Sequence, residues 1–405
     1  MKKTTFIHAA DLHLDSPMTG LKHLPDKILN RLKDSSFQAL KKITEAAIKH
    51  DVDFVVLAGD LYDGEDRSLR AQSIFRAEMA KLAEKGIPVF AVHGNHDHLN
   101  GSWVHLDMPE NVTVFPARVE RKLLRSKSGA IVHLYGFSYP VRHVMDKKID
   151  EYKREEGADF HVGILHGYNE GNSEHGRYAP FQVKDLLEKR FDYWALGHIH
   201  KRAVLAEDPP AIYPGNIQGR NRKETGEKGC YLVTLTESEA TYEFIKTSDI
   251  IWKNIEIDAS GKKTFQEIFK MCEDAVEKHR VDHGGVILII ILKHINLEDS
   301  SLNSYFISDL LEILQSQEVE EQFVWVSDVK MEESLTTNRE DLRQKAGFYE
   351  ELLNTIDHYE HAPDTLSPLY GHQLARKYLD SLTETDEEQL LKNAENYLLK
   401  LLTSS

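Results

Sequence analysis

Only two cysteines, Cys230 and Cys272, occur in 405 residues, which excludes a disulfide framework and a thiolate zinc cluster. Long apolar runs are missing too. The longest aliphatic stretch, Val286 to Leu292, falls far short of the roughly 20 residues needed to cross a bilayer. Met1-Lys-Lys leads into a strand-like segment and not into the apolar core of a signal peptide. A cytoplasmic location with no membrane partner is expected. Internal repeats and low-complexity segments are absent as well. Nor is there an excess of positive charge: the net charge of -16 at first argues against a nucleic-acid partner. The imbalance, however, is local. Residues 1–248 carry 35 Lys+Arg and 35 Asp+Glu, whereas residues 249–405 carry 15 and 31. The first part is neutral, so bound divalent cations would make it locally positive. The acidic excess of the second part reads as solvated helix faces.

A chain of this length exceeds one ordinary core, and its pattern divides it into residues 1–248, 249–335 and 336–405. In the first part, β-branched runs alternate with helical stretches at Asp26 to His50 and Leu69 to Lys85, which indicates an α/β layered domain. Strand-like runs come closer together from Ala130 to Leu235, which suggests a second sheet packed on the first. In the second part, Trp252 to Ile257, Thr264 to His279, Gly285 to Leu292, Ser304 to Gln315 and Phe323 to Val329 read as β-α-β-α-β, a small cap domain. From about Thr337 the chain reads as helical. Leu390, Leu391, Ala394, Tyr397, Leu398, Leu401 and Leu402 form one apolar stripe near its end.

Five short pieces carry the chemistry: Asp11-Leu-His13, Gly59-Asp60, Gly94-Asn95-His96-Asp97, His166-Gly167 and Gly197-His198-Ile199-His200. Each follows an apolar run: Thr5 to Ala10, Phe54 to Ala58, Val89 to Val92, Val162 to Leu165 or Tyr193 to Leu196. Each therefore falls at the carboxyl end of a strand, where ligands gather in α/β sheets. Side chains alternate along a strand, so Asp11 and His13 are expected on one side, as are His198 and His200. Asn95 and His96 belong on a turning loop. A lone His in an apolar strand is more often a hydrogen-bonded structural residue, and His8, His93, His133 and His161 are read that way. The five pieces acquire meaning from their combination and order.

Phosphodiester hydrolysis needs an activated water and positive charge over the phosphate oxygens. Two divalent metals held roughly 4 Å apart by a shared carboxylate supply both, and Asp60 is the best candidate for that bridge. Mixed imidazole and carboxylate donors suit manganese, iron or zinc better than calcium or magnesium alone. Asn95 offers a neutral amide oxygen. His96 can stabilise the phosphate or protonate the leaving oxygen, and Asp97 can orient a neighbour from behind. A Gly-rich stretch from Tyr213 to Gly229 adds four cations, Arg220, Arg222, Lys223 and Lys228, which form a candidate track for a nucleic-acid backbone.

In this order the five pieces resemble the calcineurin-like metallophosphoesterase superfamily. The resemblance implies a four-layer αββα sandwich around a dimetal centre, in which Asp11, His13, Asp60 and His200 would hold one metal and Asp60, Asn95, His166 and His198 the other. His96 would be the catalytic histidine. Ala9-Ala-Asp-Leu-His-Leu-Asp15, Ala58-Gly-Asp-Leu-Tyr-Asp63 and Tyr213-Pro-Gly215 followed by Gly226-Glu-Lys-Gly229 further resemble the SbcD-type nuclease subunits of double-strand-break repair complexes, the YhaO-type bacterial exonucleases in particular. That implies a manganese-dependent DNA exonuclease or endonuclease subunit whose partners are DNA and an SbcC-type coiled-coil ATPase, with a homodimer as a further arrangement. One departure stands out, since some members have a His where this chain has Asp63. Protein phosphatases of the superfamily usually carry Asp-Arg-Gly after the bridging segment, where this chain reads Asp63-Gly64-Glu65. A small-molecule or cyclic-nucleotide phosphodiesterase and an inactive scaffold subunit are the remaining alternatives.

Overall fold

The computed structural model describes residues 2–18, 21, 24–64, 68–101, 104–170, 178–295, 306–316, 321–332, 342–343, 347–359, 362–370, 372 and 384–403. Two six-stranded sheets packed face to face dominate it. The first contains β1 (Lys3–Ala9), β2 (Phe54–Ala58), β3 (Val89–Val92), β4 (Val112–Val114), β11 (Gly229–Thr236) and β12 (Ala240–Lys246), in the order β12-β11-β1-β2-β3-β4. The second is β5-β6-β7-β8-β10-β9, built from β5 (Glu120–Arg125), β6 (Ile131–Gly136), β7 (Phe160–His166), β8 (Tyr193–Gly197), β9 (Ala203–Glu207) and β10 (Pro210–Tyr213).

Both sheets are parallel at their centres, through β1-β2-β3-β4 and β6-β7-β8-β10. Parallel strands buried on both faces read as continuous apolar runs, and that is why Phe54–Ala58 and Val89–Val92 were legible to the residue. Phe6, Phe54, Val56, Phe90, Val162, Ile164 and Tyr193 fill the space between the sheets. The outer face of the first sheet is covered by α1 (Asp26–Lys49) and α2 (Leu69–Glu84) through Leu40, Ile43, Phe75 and Met79. A thinner layer, the 3-10 helix Lys148–Glu151 and α3 (Val183–Glu188), covers Phe191, Trp194 and Leu196 on the second.

The expectation that the run from Ala130 to Leu235 forms the second sheet needs correction. That sheet begins at Glu120, and β11 returns to the first sheet, antiparallel to β1, pairing Phe6 with Val233. Register across this long connection is a tertiary property that spacing along the chain does not carry.

Next come β13 (Ile250–Asp258), α4 (Phe265–Lys278), β14 (Gly285–Lys293), α5 (Phe306–Gln315) and β15 (Val324–Glu332), with a parallel β13-β14-β15 sheet. A capping box between Thr264 and Glu267 starts α4. One face of β14, with Leu288 and Ile290, packs on α4 and α5, while Ile287 faces Ile28 and Leu32 of α1. Arg31 on α1 also pairs with Asp249 at 2.8 Å. Among the described residues that follow are α6 (Phe348–Asp357), α7 (Ala362–Tyr370) and α8 (Glu384–Thr403). Leu342, Leu353 and Leu399 form a small core among themselves. Of the apolar stripe, the side chains of Tyr397 and Leu401 lie outside the described residues. Leu390, Leu391 and Leu398 line an apolar cleft of about 500 Å³ together with Leu352, Ile356 and Leu366. Among the described residues, no helix is long and apolar enough to cross a membrane.

Candidate metal centre

The carboxyl ends of β1, β2, β3, β7 and β8 gather at one end of the sandwich, and the five pieces lie there. Asp11 and His13 do not alternate along a strand as expected. β1 ends at Ala9, and both residues have positive φ, 51° and 42°, as do Asp60 at 50° and His198 at 104°. Left-handed backbone costs about 1–3 kcal/mol per non-glycine residue and persists only where the surroundings impose it. Here Asp11 N donates to Gly59 O at 3.0 Å, His13 N to Asp60 O at 3.0 Å and Leu14 N to Leu61 O at 3.1 Å. The loops after β1 and β2 are zipped together by these bonds, which turn Asp11, His13 and Asp60 towards one point.

Asp97 secures the third loop from behind. Its carboxylate accepts Leu61 N at 2.9 Å, Gly94 N at 2.7 Å and the His93 ring at 2.8 Å. Asp60 Oδ1 accepts His96 N at 2.9 Å. Gly94 admits no side chain, because a Cβ there would lie 2.3 Å from Asp60 Oδ1 and 2.6 Å from His166 Nε2.

All seven residues expected to hold metal converge. Asp11, His13, Asp60, Asn95 and His166 are buried, and His198 and His200 are half-buried at the mouth. Ligand atoms of Asp11, His13 and His200 lie within 4.8 Å of one another, as do those of Asp11, Asp60 and His166. Asp60 Oδ2 is 3.7 Å from His13 Nε2 and 3.4 Å from His166 Nε2, so it faces both groups. Asn95 Oδ1 lies 3.1 Å from His166 Nε2 and 3.2 Å from His198 Nδ1.

Donor chemistry tests whether this cage fits cations. His13 Nδ1 faces Asp63 at 3.1 Å and His200 Nδ1 faces Glu224 at 2.8 Å, while their Nε2 atoms are only 3.0 Å apart. With both Nδ1–H groups donating to carboxylates, two bare lone pairs point at each other. That contact is repulsive unless positive charge lies between them, and the carboxylate–histidine pairing is the arrangement that orients metal-binding imidazoles. Burial, with the Arg220 charge, pushes His13 down to about 3 and keeps it neutral. At His166 burial also works against the proton, but Asp60 and Asp11 outweigh it and lift the imidazole to about 9. A cation beside Asp60 would supply the charge that this proton supplies. The residues therefore fit a metal pair.

Residues 4–202 match the family model for calcineurin-like phosphoesterases. The chain is 39% identical over 404 residues to the uncharacterized metallophosphoesterase YhaO of Bacillus subtilis strain 168, covering 98% of each chain. The chain belongs to the calcineurin-like phosphoesterase family. It is a metal-dependent phosphoesterase by that membership, and the family's two-metal chemistry agrees with the donor groups just described. More distant similarity runs to the DNA double-strand break repair protein Mre11 of Thermoplasma acidophilum, 25% identical over 324 residues and covering 74% of this chain and 82% of the relative. The Methanocaldococcus jannaschii protein of the same description is 27% identical over 289 residues, with coverage of 67% and 74%.

His96 sits half-buried beside the cage, its Nδ1 3.2 Å from Asp63 Oδ1. Burial opposes its protonation, yet the hydrogen bond to Asp63 and the charges of Asp60 and Asp63 raise its pKa above the ordinary histidine value. The four cations expected to track a nucleic acid separate. Arg222 and Lys223 are exposed. Lys228 is buried and donates to His200 O at 3.0 Å, and Arg220 turns inward onto Asp63 at 3.2 Å. Of the expected track, Arg222 and Lys223 thus meet solvent, whereas a carboxylate holds Arg220 and a backbone carbonyl holds Lys228.

Sequence reasoning missed Glu224 and gave Asp63 no role. Glu224 directly follows the basic run from Arg220 to Lys223, and that adjacency was the available signal. The Tyr139 and Tyr213 hydroxyls, which donate to His166 O at 2.9 Å and Gly167 O at 2.6 Å, had no sequence signal. The residues read as structural are hydrogen-bonded: His8 to the Tyr193 hydroxyl at 2.9 Å, His93 to Asp97, His133 to the Arg121 guanidinium at 2.9 Å and His161 to the Tyr135 hydroxyl at 3.0 Å.

Proposed function

We propose that this phosphoesterase is the nuclease subunit of a DNA repair assembly, hydrolysing DNA phosphodiester bonds with two divalent cations, manganese foremost. The observation that carries the reading is Asp60 facing two adjoining ligand groups, with His96 at their rim. Asp11, His13, Asp60 and His200 would hold one metal; Asp60, Asn95, His166 and His198 would hold the other. When bound, the pair supplies Lewis acidity for water and opposes the charge that builds on the phosphate. His96, whose protonated form Asp63 and Asp60 favour against burial, donates to the phosphate or the leaving oxygen. Similarity to proteins described as DNA double-strand break repair proteins supports DNA as the substrate, and the exposed Arg222 and Lys223 face its backbone. The apolar cleft between α6, α7 and α8 supports docking of an SbcC-type coiled-coil ATPase in a helix-in-groove contact.

The purified full-length chain is tested on labelled duplex, hairpin and single-stranded DNA beside a phosphopeptide and a cyclic nucleotide, with and without manganese. Manganese-dependent cleavage of DNA alone is expected. Faster turnover of the cyclic nucleotide replaces the nuclease reading with a small phosphodiesterase, and no turnover of any substrate makes the chain a scaffold.

A further inference from the structure

Arg220 lies in the loop between β10 and β11, and its side chain is 17% exposed. Its Nη1 donates to Asp63 Oδ1 at 3.2 Å, and its Nη2 lies 3.3 Å from His200 Nδ1 and 3.5 Å from Glu224 Oε1. Its Nε is buried, so the guanidinium is directed into the protein. The two carboxylates it spans are the outer partners of His13 and His200. Asp63 has a further duty, since the same Oδ1 faces His96 Nδ1 while Oδ2 accepts the Ser16 hydroxyl at 2.8 Å. Loops following β1, β2, β3, β8 and β10 thus meet around one planar fork.

We propose that Arg220 is a positioning residue for hydrolysis, a clamp that fixes Asp63 and Glu224 and through them orients His13, His200 and His96, and that it makes no contact with the substrate phosphate. The proposal rests on the reading of His96 as catalytic and of His13 and His200 as ligands. Glu224 has independent anchors, Arg220 N and Asn216 Nδ2, both at 2.8 Å. Asp63 has no comparable backbone donor among the described contacts, so the His96 side of the clamp depends more on the guanidinium. A lysine ammonium is a point charge on a flexible stem and cannot span both carboxylates as the fork does.

Full-length Arg220→Gln, Arg220→Lys and Asp63→Asn proteins are assayed with manganese on duplex DNA and on bis(p-nitrophenyl) phosphate. Metal content, melting temperature and the salt dependence of DNA binding are measured alongside. Loss of an outer partner of a metal-site histidine typically lowers activity or metal affinity about 10- to 100-fold. Arg220→Gln is expected to lower kcat by that factor on both substrates while KM for DNA and the salt slope of binding stay unchanged, and Arg220→Lys recovers only part. Combining Arg220→Gln with Asp63→Asn adds little to the larger single loss, because one contact is removed twice. The opposite pattern, wild-type turnover of the small ester with weaker DNA binding and a salt slope shallower by about one, makes Arg220 a phosphate contact and overturns the clamp. If Arg220→Gln does not fold, Arg220→Lys is read for the same split. A wild-type chain inactive on every phosphodiester removes the functional reading itself; an active wild type with an equally active Arg220→Gln removes only the clamp.

Discussion

Within the sandwich, Phe6, Phe54, Val162 and Tyr193 have no solvent contact, whereas along the C-terminal cleft Leu390 and Leu398 remain 41% and 37% exposed. Fully burying a leucine contributes about 1.5–3 kcal/mol, so the sandwich has collected from its own sheets what the tail leaves partly uncollected. The polar groups differ in the same sense. Asp11, Asp60, Asp97 and His166 are buried yet hydrogen-bonded from several loops, while among the described residues the tail's small core joins Leu342, Leu353 and Leu399 with flanking apolar neighbours. One region closes its core around a preorganised cage. The other, among its described residues, leaves apolar side chains partly exposed.

The most severe way to break this contrast is Asp60→Asn, which preserves volume and removes the charge facing both ligand groups. Manganese-dependent hydrolysis should fall to background and metal content should drop, with the fold retained by circular dichroism. Full activity in a folded variant would falsify the site assignment. Next in size is His96→Ala. Both metals should stay while the rate drops about 10²- to 10⁴-fold, the usual contribution of a proton-transfer group; loss of metal stoichiometry would make His96 a ligand instead. Smaller still is Arg222→Gln with Lys223→Gln. DNA affinity should fall modestly and the salt dependence of binding should flatten by up to about two counterions, with turnover of a small phosphodiester untouched. An unchanged slope assigns both residues to solvent. Removing residues 337–405 should affect hydrolysis of a small phosphodiester least of all, because every proposed ligand lies in the sandwich and the sandwich clusters contain none of the tail's residues. Recovery of an SbcC-type ATPase in co-purification should be lost. Equal recovery would remove the tail as docking element, and collapse of the shortened chain would make the cleft part of its own core.

Much of the sandwich was legible. Phe54–Ala58 and Val89–Val92 stand out because strands buried on both faces need unbroken apolar runs, and α1 declares itself through one apolar face. The order of β13, α4, β14, α5 and β15 was legible for the same reason. Where β11 inserts was not, because pairing partners far apart in sequence are chosen by register and burial. Nor was the inward turn of Arg220 and Lys228, since a basic run reads identically whether its cations meet solvent or buried carboxylates.

By itself the sequence determined which donors are available and that they fall at or just beyond strand ends, since residue type and hydrophobic period are local properties. Tertiary structure alone decided that Asp11, His13, Asp60 and His198 adopt left-handed backbone, that Asp63 and Glu224 stand behind His13 and His200, and that two of four cations serve the interior. Each of those outcomes depends on hydrogen bonds between loops brought together by the two packed sheets, and no single segment contains both partners.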